Sequence, residues 1–566
     1  MSHIDWAVLI LSLVFIVIYG VYKGRGSRDI QGYLMADRNI RWYIVTLSVM
    51  ATQASAITFI STPGQAYSDG MRFIQFYLGL PLAMIVLSIT AIPLFHKLKV
   101  FTAYEYLENR FDLKTRGLAA GLFLIQRGLA SGLTIYAPAI ILSTLLGLNI
   151  YITNLILGGL VIIYTASGGS KAVSWTQTQQ MLIIFVAMAG ACFMILHFLP
   201  RGVSLTDAFF VAGKMGKLNA IDFSFDLSNR YNIWSGLIGG FFLALSYFGT
   251  DQSQVQRYLT AKSITHSRLG LLANGIVKVP MQFFILLLGV LVFVFYQFTA
   301  PPLFFNSVES RNIRGGQLGE QYRLVERQYE VASKEKSELI KKLIQARHNN
   351  DAIALTNVGQ QLDEAEKKVS GLKTQGVALI RQHTATADIG DTNYIFLYFV
   401  LKYMPIGLLG LIIAAIFAAS MSSTSSELNA LASTSVVDIY KRILKKEGSD
   451  RHYLRVSKAM TVGWGIFAIM FAQYANRLGT LVEAVNILGS LFYGTILGIF
   501  LVAFYIKNVR GAAAFYAAII AEVGVVSCFL FTGISYLWYN VVGCLLVIIF
   551  SIPISYILEH RKSANG

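Results

Sequence analysis

Thr46-Leu-Ser-Val-Met-Ala-Thr-Gln-Ala-Ser-Ala-Ile-Thr58 places Thr52, Gln53, Ser55 and Thr58 in the middle of an apolar run long enough to cross a bilayer. A second run, Leu245-Ser-Tyr-Phe-Gly-Thr-Asp-Gln-Ser-Gln254, is interrupted in a corresponding way, with Gly249 beside Thr250 and Asp251. Irregular backbone inside a membrane is tolerated only where protein or a cavity satisfies its carbonyls. Two helices broken at matching positions therefore point to a transporter built from inverted repeats, with its site at the breaks. Single Ser and Thr side chains also bond back to their own helix carbonyls, so the clustering carries the reading.

The rest of the chain agrees. Of 566 residues, 55% are hydrophobic and only 14% charged, with a mean hydropathy of +0.57, which excludes an ordinary soluble enzyme. Mostly apolar segments recur at about 5–22, 42–68, 73–95, 117–145, 150–167, 175–199, 233–250, 269–299, 395–437, 454–476, 480–506, 511–531 and 536–558. The expected fold is an all-α polytopic membrane protein with about thirteen spans. The three cysteines, Cys192, Cys528 and Cys544, sit in apolar segments without metal spacing and read as core thiols.

The net charge of +17 raises the question of nucleic acid, and its distribution answers it. Basic residues gather in alternate short loops: Lys23, Arg25, Arg28, Arg38 and Arg41; Lys97, Lys99, Arg110, Lys114 and Arg116; Arg257, Lys262 and Arg268; then Lys441 to Arg455, and Arg561 with Lys562 in the tail. Under the positive-inside rule this puts the N-terminus outside and the C-terminus in the cytoplasm. The charge is topological, with membrane lipids rather than nucleic acid as its partner. The expected location is the plasma membrane, specifically the inner membrane of a bacterium.

One stretch does not belong in lipid. Residues 309–382 contain 13 Lys and Arg and 10 Asp and Glu. Leu318, Tyr322, Val325, Tyr329, Ala332, Lys336, Leu339, Leu343 and Ala346 recur at spacings of four and three, as do Leu355, Val358, Leu362, Ala365, Val369 and Leu372. An extracytoplasmic antiparallel helical hairpin is expected. Its two arms of roughly 45 Å turn at His348-Asn-Asn-Asp351, with Asn350 or Asp351 as cap and Lys336, Gly359, Gly371 and Gly376 as weak points. It reads as a solvated spacer, or as a contact surface for an outer partner over 315–382. Ala418-Ala-Ser-Met-Ser-Ser-Thr-Ser-Ser-Glu-Leu-Asn429 is the densest polar cluster within a span. Ala419, Ser422 and Ser423 share a helical face, and hydroxyls plus carbonyls make hard neutral ligands for an alkali cation.

Thr52-Gln-Ala-Ser-Ala-Ile-Thr-Phe, Ala103-Tyr-Glu-Tyr-Leu-Glu-Asn-Arg-Phe, Gly168-Gly-Ser-Lys-Ala-Val-Ser-Trp-Thr, Thr250-Asp-Gln-Ser-Gln-Val-Gln-Arg and the serine-rich span together resemble the sodium/solute symporter family. The resemblance covers nearly the whole chain outside the hairpin. It implies a LeuT-like core of two inverted five-helix repeats with peripheral helices. The corresponding divisions are 1–36 as a leading helix, 37–200 as the first repeat, and 201–308 with 391–508 as the second. The hairpin occupies 309–390, and trailing helices and tail occupy 509–566.

The same resemblance implies sodium as coupling ion, with no other cofactor and no enzyme chemistry. The ion would be held by the carbonyls of Ala51 and Ala54 and by Ala419, Ser422 and Ser423. Family members with a second sodium use an Asp where this chain has Gln177, beside Ser425 and Ser426, which favours one sodium here. For the solute, Lys278 matches a sugar-binding lysine, Tyr247 an inner-gate tyrosine and Asp251 part of the sodium/glucose segment. Tyr77 and Glu483 depart from that branch, and Thr58 through Gln65 reads more like the multivitamin and monocarboxylate branch. The expected function is sodium-coupled symport of a small polar solute, a sugar or polyol. The alternatives are an organic anion, monocarboxylate or vitamin carrier, with Lys278 countering a carboxylate, and a membrane sensor, which lacks a recognisable cytosolic output segment.

Overall fold

A computed structural model describes all residues except 25–29, 168–169, 385–386, 388, 476–479 and 565–566. Arg25 and Arg28 of the first basic loop, and Gly168 and Gly169 of the third signature, thus lie outside the described residues. The described chain is helical, with one isolated β-bridge between Ile40 and Ala261. The first half contains α1 (His3–Gly24), α2 (Trp42–Gln53), α3 (Ala56–Asp69), α4 (Leu80–Ile89), α5 (Ala91–Leu98), α6 (Leu113–Leu146), α7 (Ile150–Ser167), α8 (Ser170–His197) and α9 (Leu205–Lys214). After these come α10 (Gly240–Gly249), α11 (Gln252–Leu259), α12 (Ile264–Phe298), α13 (Gly319–His348), α14 (Ala352–His383), α15 (Thr392–Tyr403) and α16 (Leu408–Thr434). The last four are α17 (Asp450–Ala472), α18 (Leu481–Tyr505), α19 (Gly511–Phe531) and α20 (Tyr536–Ala564). Among the described residues nine helices are long and apolar enough to cross a membrane, and three shorter apolar helices accompany them.

Both expected breaks are present. Between α2 and α3, Ala54 and Ser55 leave helical geometry with ψ of 74° and 175°. Between α10 and α11, Thr250 leaves the helix and the Asp251 side chain accepts from the Ser253 N–H, capping α11. Helix α12 packs along α2, α3 and α4, and α16 packs against α1, α6 and α8, so the broken helix lies between two long continuous ones. Close approach is possible because the contact residues are small. A Cβ on Gly289 would overlap the Pro63 carbonyl, and one on Gly64 the Thr392 carbonyl.

The apolar stretch 395–437, expected as one span, is divided. Pro405 has no N–H to give, and Gly407 takes a φ of +88°, so α15 stops at Tyr403 and α16 starts afresh at Leu408. Hydropathy is continuous across this corner because both sides of it are buried, which is why apolarity alone merged them. The stretch 73–95 is also segmented: a 3₁₀ turn covers Gly70–Tyr77, and α4 and α5 meet at Thr90.

Helices α13 and α14 form the expected hairpin. Asn350 supplies a left-handed turn residue with φ of 53°, and Asp351 caps α14 by accepting from the Ala354 N–H. The hairpin is not a free spacer. Tyr322, Tyr329 and Ile380 share an apolar core with Leu303 and Phe304, and Ile340, Leu343 and Leu362 share another with Val211 of α9. Gly376, expected as a weak point, lies against Leu303, where a Cβ would approach to 2.8 Å, so its lack of a side chain permits docking. Lys336 is buried and paired with Glu366 at 2.5 Å. Gly359 and Gly371 face open space.

Candidate functional site

Ending α2 at Gln53 redirects two N–H groups. In an unbroken helix Ser55 N would bond the Ala51 carbonyl, and Thr58 N the Ala54 carbonyl. Here Ser55 N donates to Gln53 O at 3.1 Å and Thr58 N to Ser55 O at 3.0 Å. The two carbonyls expected to hold sodium are therefore both among those that lose their helical donors at the break. Across from them on α16, Ser423 Oγ donates to Ala419 O at 2.9 Å and keeps its lone pairs, and Ser422 Oγ is buried with no hydrogen bond. Five neutral oxygen positions at a helix break suit a monovalent cation better than a divalent one, which selects carboxylates.

One turn away the chemistry changes. Gln177, fully buried on α8, donates from Nε2 to Thr52 Oγ1 (3.0 Å) and Ser426 Oγ (2.9 Å), while its Oε1 accepts from Ser48. A neutral amide thus links the hydroxyls that would surround a second cation. Ser425 Oγ, its expected companion, makes no hydrogen bond.

Beside the break, a cavity of about 90 Å³ opens between α3, α6, α10, α16 and α18. Thr58, Tyr77 and Tyr247 line it, as do Gln126, Arg127, Glu427 and Tyr493. Arg127 organises the wall. Its Nη2 donates to Asp251 and to Tyr493 Oη (2.6 Å), its Nη1 donates to Glu427 Oε1 (3.1 Å), and its guanidinium lies 5.4 Å from the Tyr247 ring centroid. Tyr493 Oη donates to Asp251 Oδ2 at 2.8 Å, and Gln254 Nε2 donates to Tyr247 Oη at 2.7 Å. A buried ion triad of this kind is held by mutual pairing, so removing one member leaves an uncompensated charge.

The six residues expected for the solute divide evenly. Thr58, Tyr77 and Tyr247 face the cavity. Asp251 stands behind its wall, engaged by Arg127, Tyr493 and the start of α11. Lys278 does not line the cavity; it is buried on α12 with no hydrogen bond to Nζ. It lies between Gly270, which meets Val45 of α2, and Gly289, which meets Pro63 of α3, and so is level with the break. Glu483 sits at the start of α18, bonded to Arg230 Nη1 (2.7 Å) and Tyr231 Oη (3.3 Å), away from the cavity. Sequence reasoning passed over Arg127 and Glu427. The available signal was an arginine and a glutamate inside long apolar runs, the same signal that singled out Lys278.

A broken-helix bundle with neutral oxygens gathered at the break, beside a polar, charge-lined cavity, has the make-up of a cation-coupled secondary transporter. The chain belongs to the sodium:solute symporter family, whose model matches residues 33–309 and 368–521 and passes over most of the hairpin. It is 27% identical to the sodium-dependent multivitamin transporter of Oryctolagus cuniculus over 511 residues, covering 88% of this chain and 66% of that protein. It is 25% identical to the sodium/sialic acid symporter SiaT of Proteus mirabilis over 559 residues, covering 97% and 94%. In fold it is similar to a solved Na⁺-coupled sialic acid symporter in a substrate-bound outward-open state, with a TM-score of 0.75, 23% identity and 98% of each chain covered. Sodium is the coupling ion of the family, whose members are transporters and not enzymes. The chain is a sodium-coupled symporter of a small organic solute.

Proposed function

We propose that the solute is a small organic anion, carried inward with one sodium ion in an electroneutral cycle. The observation that carries this is Arg127, the one cation lining the cavity among the described residues. Charge balance supports it. Arg127 and Lys278 offset Asp251 and Glu427, sodium at the neutral site adds one positive charge, and a monoanion cancels it; a neutral sugar or polyol would leave a net charge at mid-membrane. The multivitamin and sialic acid carriers among the relatives favour an acid over a neutral sugar or polyol.

Sodium binds Ala51, Ala54, Ala419, Ser422 and Ser423 in this reading and holds α2, α3 and α16 in the solute-binding arrangement, so that it raises solute affinity and the solute raises sodium affinity equally. Thr58, Tyr77 and Tyr247 shape the cavity, and Lys278 supplies the distant countercharge. Asp251 orients Arg127, and Glu483 pairs with Arg230 away from the cavity. The bundle is read as thirteen spans, α2 to α8 forming one inverted five-helix repeat and α10 to α18 the other, with the hairpin between. The N-terminus and hairpin lie outside, and the C-terminus is cytoplasmic, in a plasma membrane of the bacterial inner type.

The test is uptake into proteoliposomes of labelled acids, sugars and polyols, with an inward sodium gradient and the membrane potential clamped. The proposal expects sodium-driven accumulation of an acid whose final ratio is unchanged by the clamped potential. Accumulation of a neutral sugar, or a potential-dependent ratio for a monoanion, overturns it.

A further inference from the structure

The wall of the solute cavity leaves specific polar groups unanswered, and their kinds describe what must face them. Arg127 uses both of its Nη atoms on Asp251, Tyr493 and Glu427, but its Nε is buried and without a partner. Glu427 accepts from Arg127 through Oε1 only; its Oε2 is buried and makes no hydrogen bond. The nearby Thr134 hydroxyl, also in the cavity wall, gives its proton to the Ala130 carbonyl. Gln126 donates from Nε2 to Tyr493 Oη at 3.3 Å, and its Oε1 is buried and unpartnered.

The orientation of the Gln126 amide follows from its neighbour. Tyr493 Oη has one proton, which goes to Asp251 Oδ2. It therefore only accepts from Gln126, so the amide nitrogen must face it and the oxygen must face away. The three residues are each at least nine-tenths buried: Gln126 is 1% exposed, Arg127 3% and Glu427 5%. Buried polar atoms left without partners are costly, and three in the wall of one cavity, at the centre of a transport site, are groups reserved for a ligand.

Their inventory is one donor, the Arg127 Nε–H, and two acceptors, Glu427 Oε2 and Gln126 Oε1, with Gln53 Oε1, on a less buried side chain of the same wall, as a third unpartnered acceptor. We infer that the solute is an acid bearing at least two hydrogen-bond donors away from its carboxylate, a hydroxylated or amide-bearing acid. The carboxylate takes the Arg127 Nε–H, and the donors are read by Glu427 and Gln126. The inference rests on the anion reading above and narrows it. A plain alkanoate satisfies Arg127 but leaves Glu427 and Gln126 buried against carbon. Sites built to hydrogen-bond a substrate discriminate strongly against the analogue that lacks the group.

The experiment is sodium-driven uptake by the full-length protein in proteoliposomes of matched labelled solutes: butyrate and hexanoate without donors, glycerate and gluconate with hydroxyls, succinamate and malamate with an amide, and glycerol as the neutral control. Donor-rich acids are expected to exceed the alkanoates at least tenfold in kcat/KM. The hydroxylated arm against the amide arm tells which donor Glu427 takes. Alkanoates carried as well as donor-rich acids overturn this inference while leaving the anion reading standing. Uptake of glycerol alone, or of no acid, rejects both. Gln126→Leu and Glu427→Gln are expected to shrink the ratio of donor-rich to donor-free uptake. General damage to folding lowers both rates and leaves that ratio where it was, and an unchanged ratio in both variants removes these residues from recognition.

Discussion

The Gln177 amide nitrogen lies 2.9 Å from Ser426 Oγ, joining α8 to α16 through a neutral bridge that also takes in Thr52. A carboxylate there would bring the charge that a second dehydrated cation needs; an amide brings donors that repel one. One sodium per solute is the stoichiometry this bridge predicts. With the potential clamped at zero, a tenfold sodium gradient should concentrate the solute about tenfold at equilibrium, whereas two ions would give about a hundredfold. Gln177→Asp should create a weak second site and steepen the sodium dependence. An equilibrium ratio near a hundred in the unaltered protein would refute the single-ion cycle.

Ser423→Ala should raise the sodium concentration for half-maximal uptake roughly ten- to a hundredfold, since a lost bond to a charged group is worth about 1.5 to 3 kcal/mol. Ser423 Oγ hydrogen-bonds to the Ala419 and Ser420 carbonyls of its own helix, so its removal breaks no side-chain hydrogen bond between helices. Sodium titration of uptake, with membrane content measured alongside, decides this. An unaltered half-saturation would take Ser423 out of the ion site.

Arg127→Lys should cut uptake at least tenfold with little recovery at high solute. A lysine keeps the charge but not the planar fork that reaches Asp251, Glu427 and Tyr493 together. Arg127→Leu should cost more, because it leaves Asp251 and Glu427 buried side by side without their cation. Uptake by Arg127→Lys at the unaltered rate would assign Arg127 a packing role only.

Removal of residues 315–382 with a Gly/Ser bridge should lower thermal stability, since it exposes Leu303, Phe304 and Val211. A gentler cut is Asp207→Asn at the hairpin tip, where Asp207 meets His348 at 2.9 Å and Arg347 at 3.5 Å. Burial pushes the Asp207 carboxyl up, but hydrogen bonds from Ser204 and the His348 contact outweigh it and hold the group below its ordinary range. A depressed carboxyl contributes stability that is present at neutral pH and lost as the pH falls through its folded value. Hydrogen exchange at 340–348 should therefore quicken on acidification in the unaltered protein and be fast already at neutral pH in Asp207→Asn. Identical exchange in both would show that the tip contact holds nothing.

The serine-rich run of α16, the two broken helices and the hairpin were legible in the chain itself, because a bilayer forbids unsatisfied backbone and heptad spacing shows only on a helix. What hydropathy merged, at Met404–Gly407, was a change of direction between two helices that are both apolar, the corner residues Pro405 and Ile406 being exposed. The solute wall was mostly hidden. Arg127, Asp251, Glu427 and Tyr493 lie 66 to 366 residues apart in the chain, and an arginine in an apolar run does not say which carboxylates meet it. Lys278 drew attention by the same rule, yet it lies level with the break and does not line the cavity. Local sequence determined which segments are helical, which of them break and which hydroxyls share a face, since those depend on neighbours within a turn or two. Tertiary packing alone decided which charges pair, which polar atoms stay unanswered and that the hairpin docks, because each depends on distances between helices that no local pattern records.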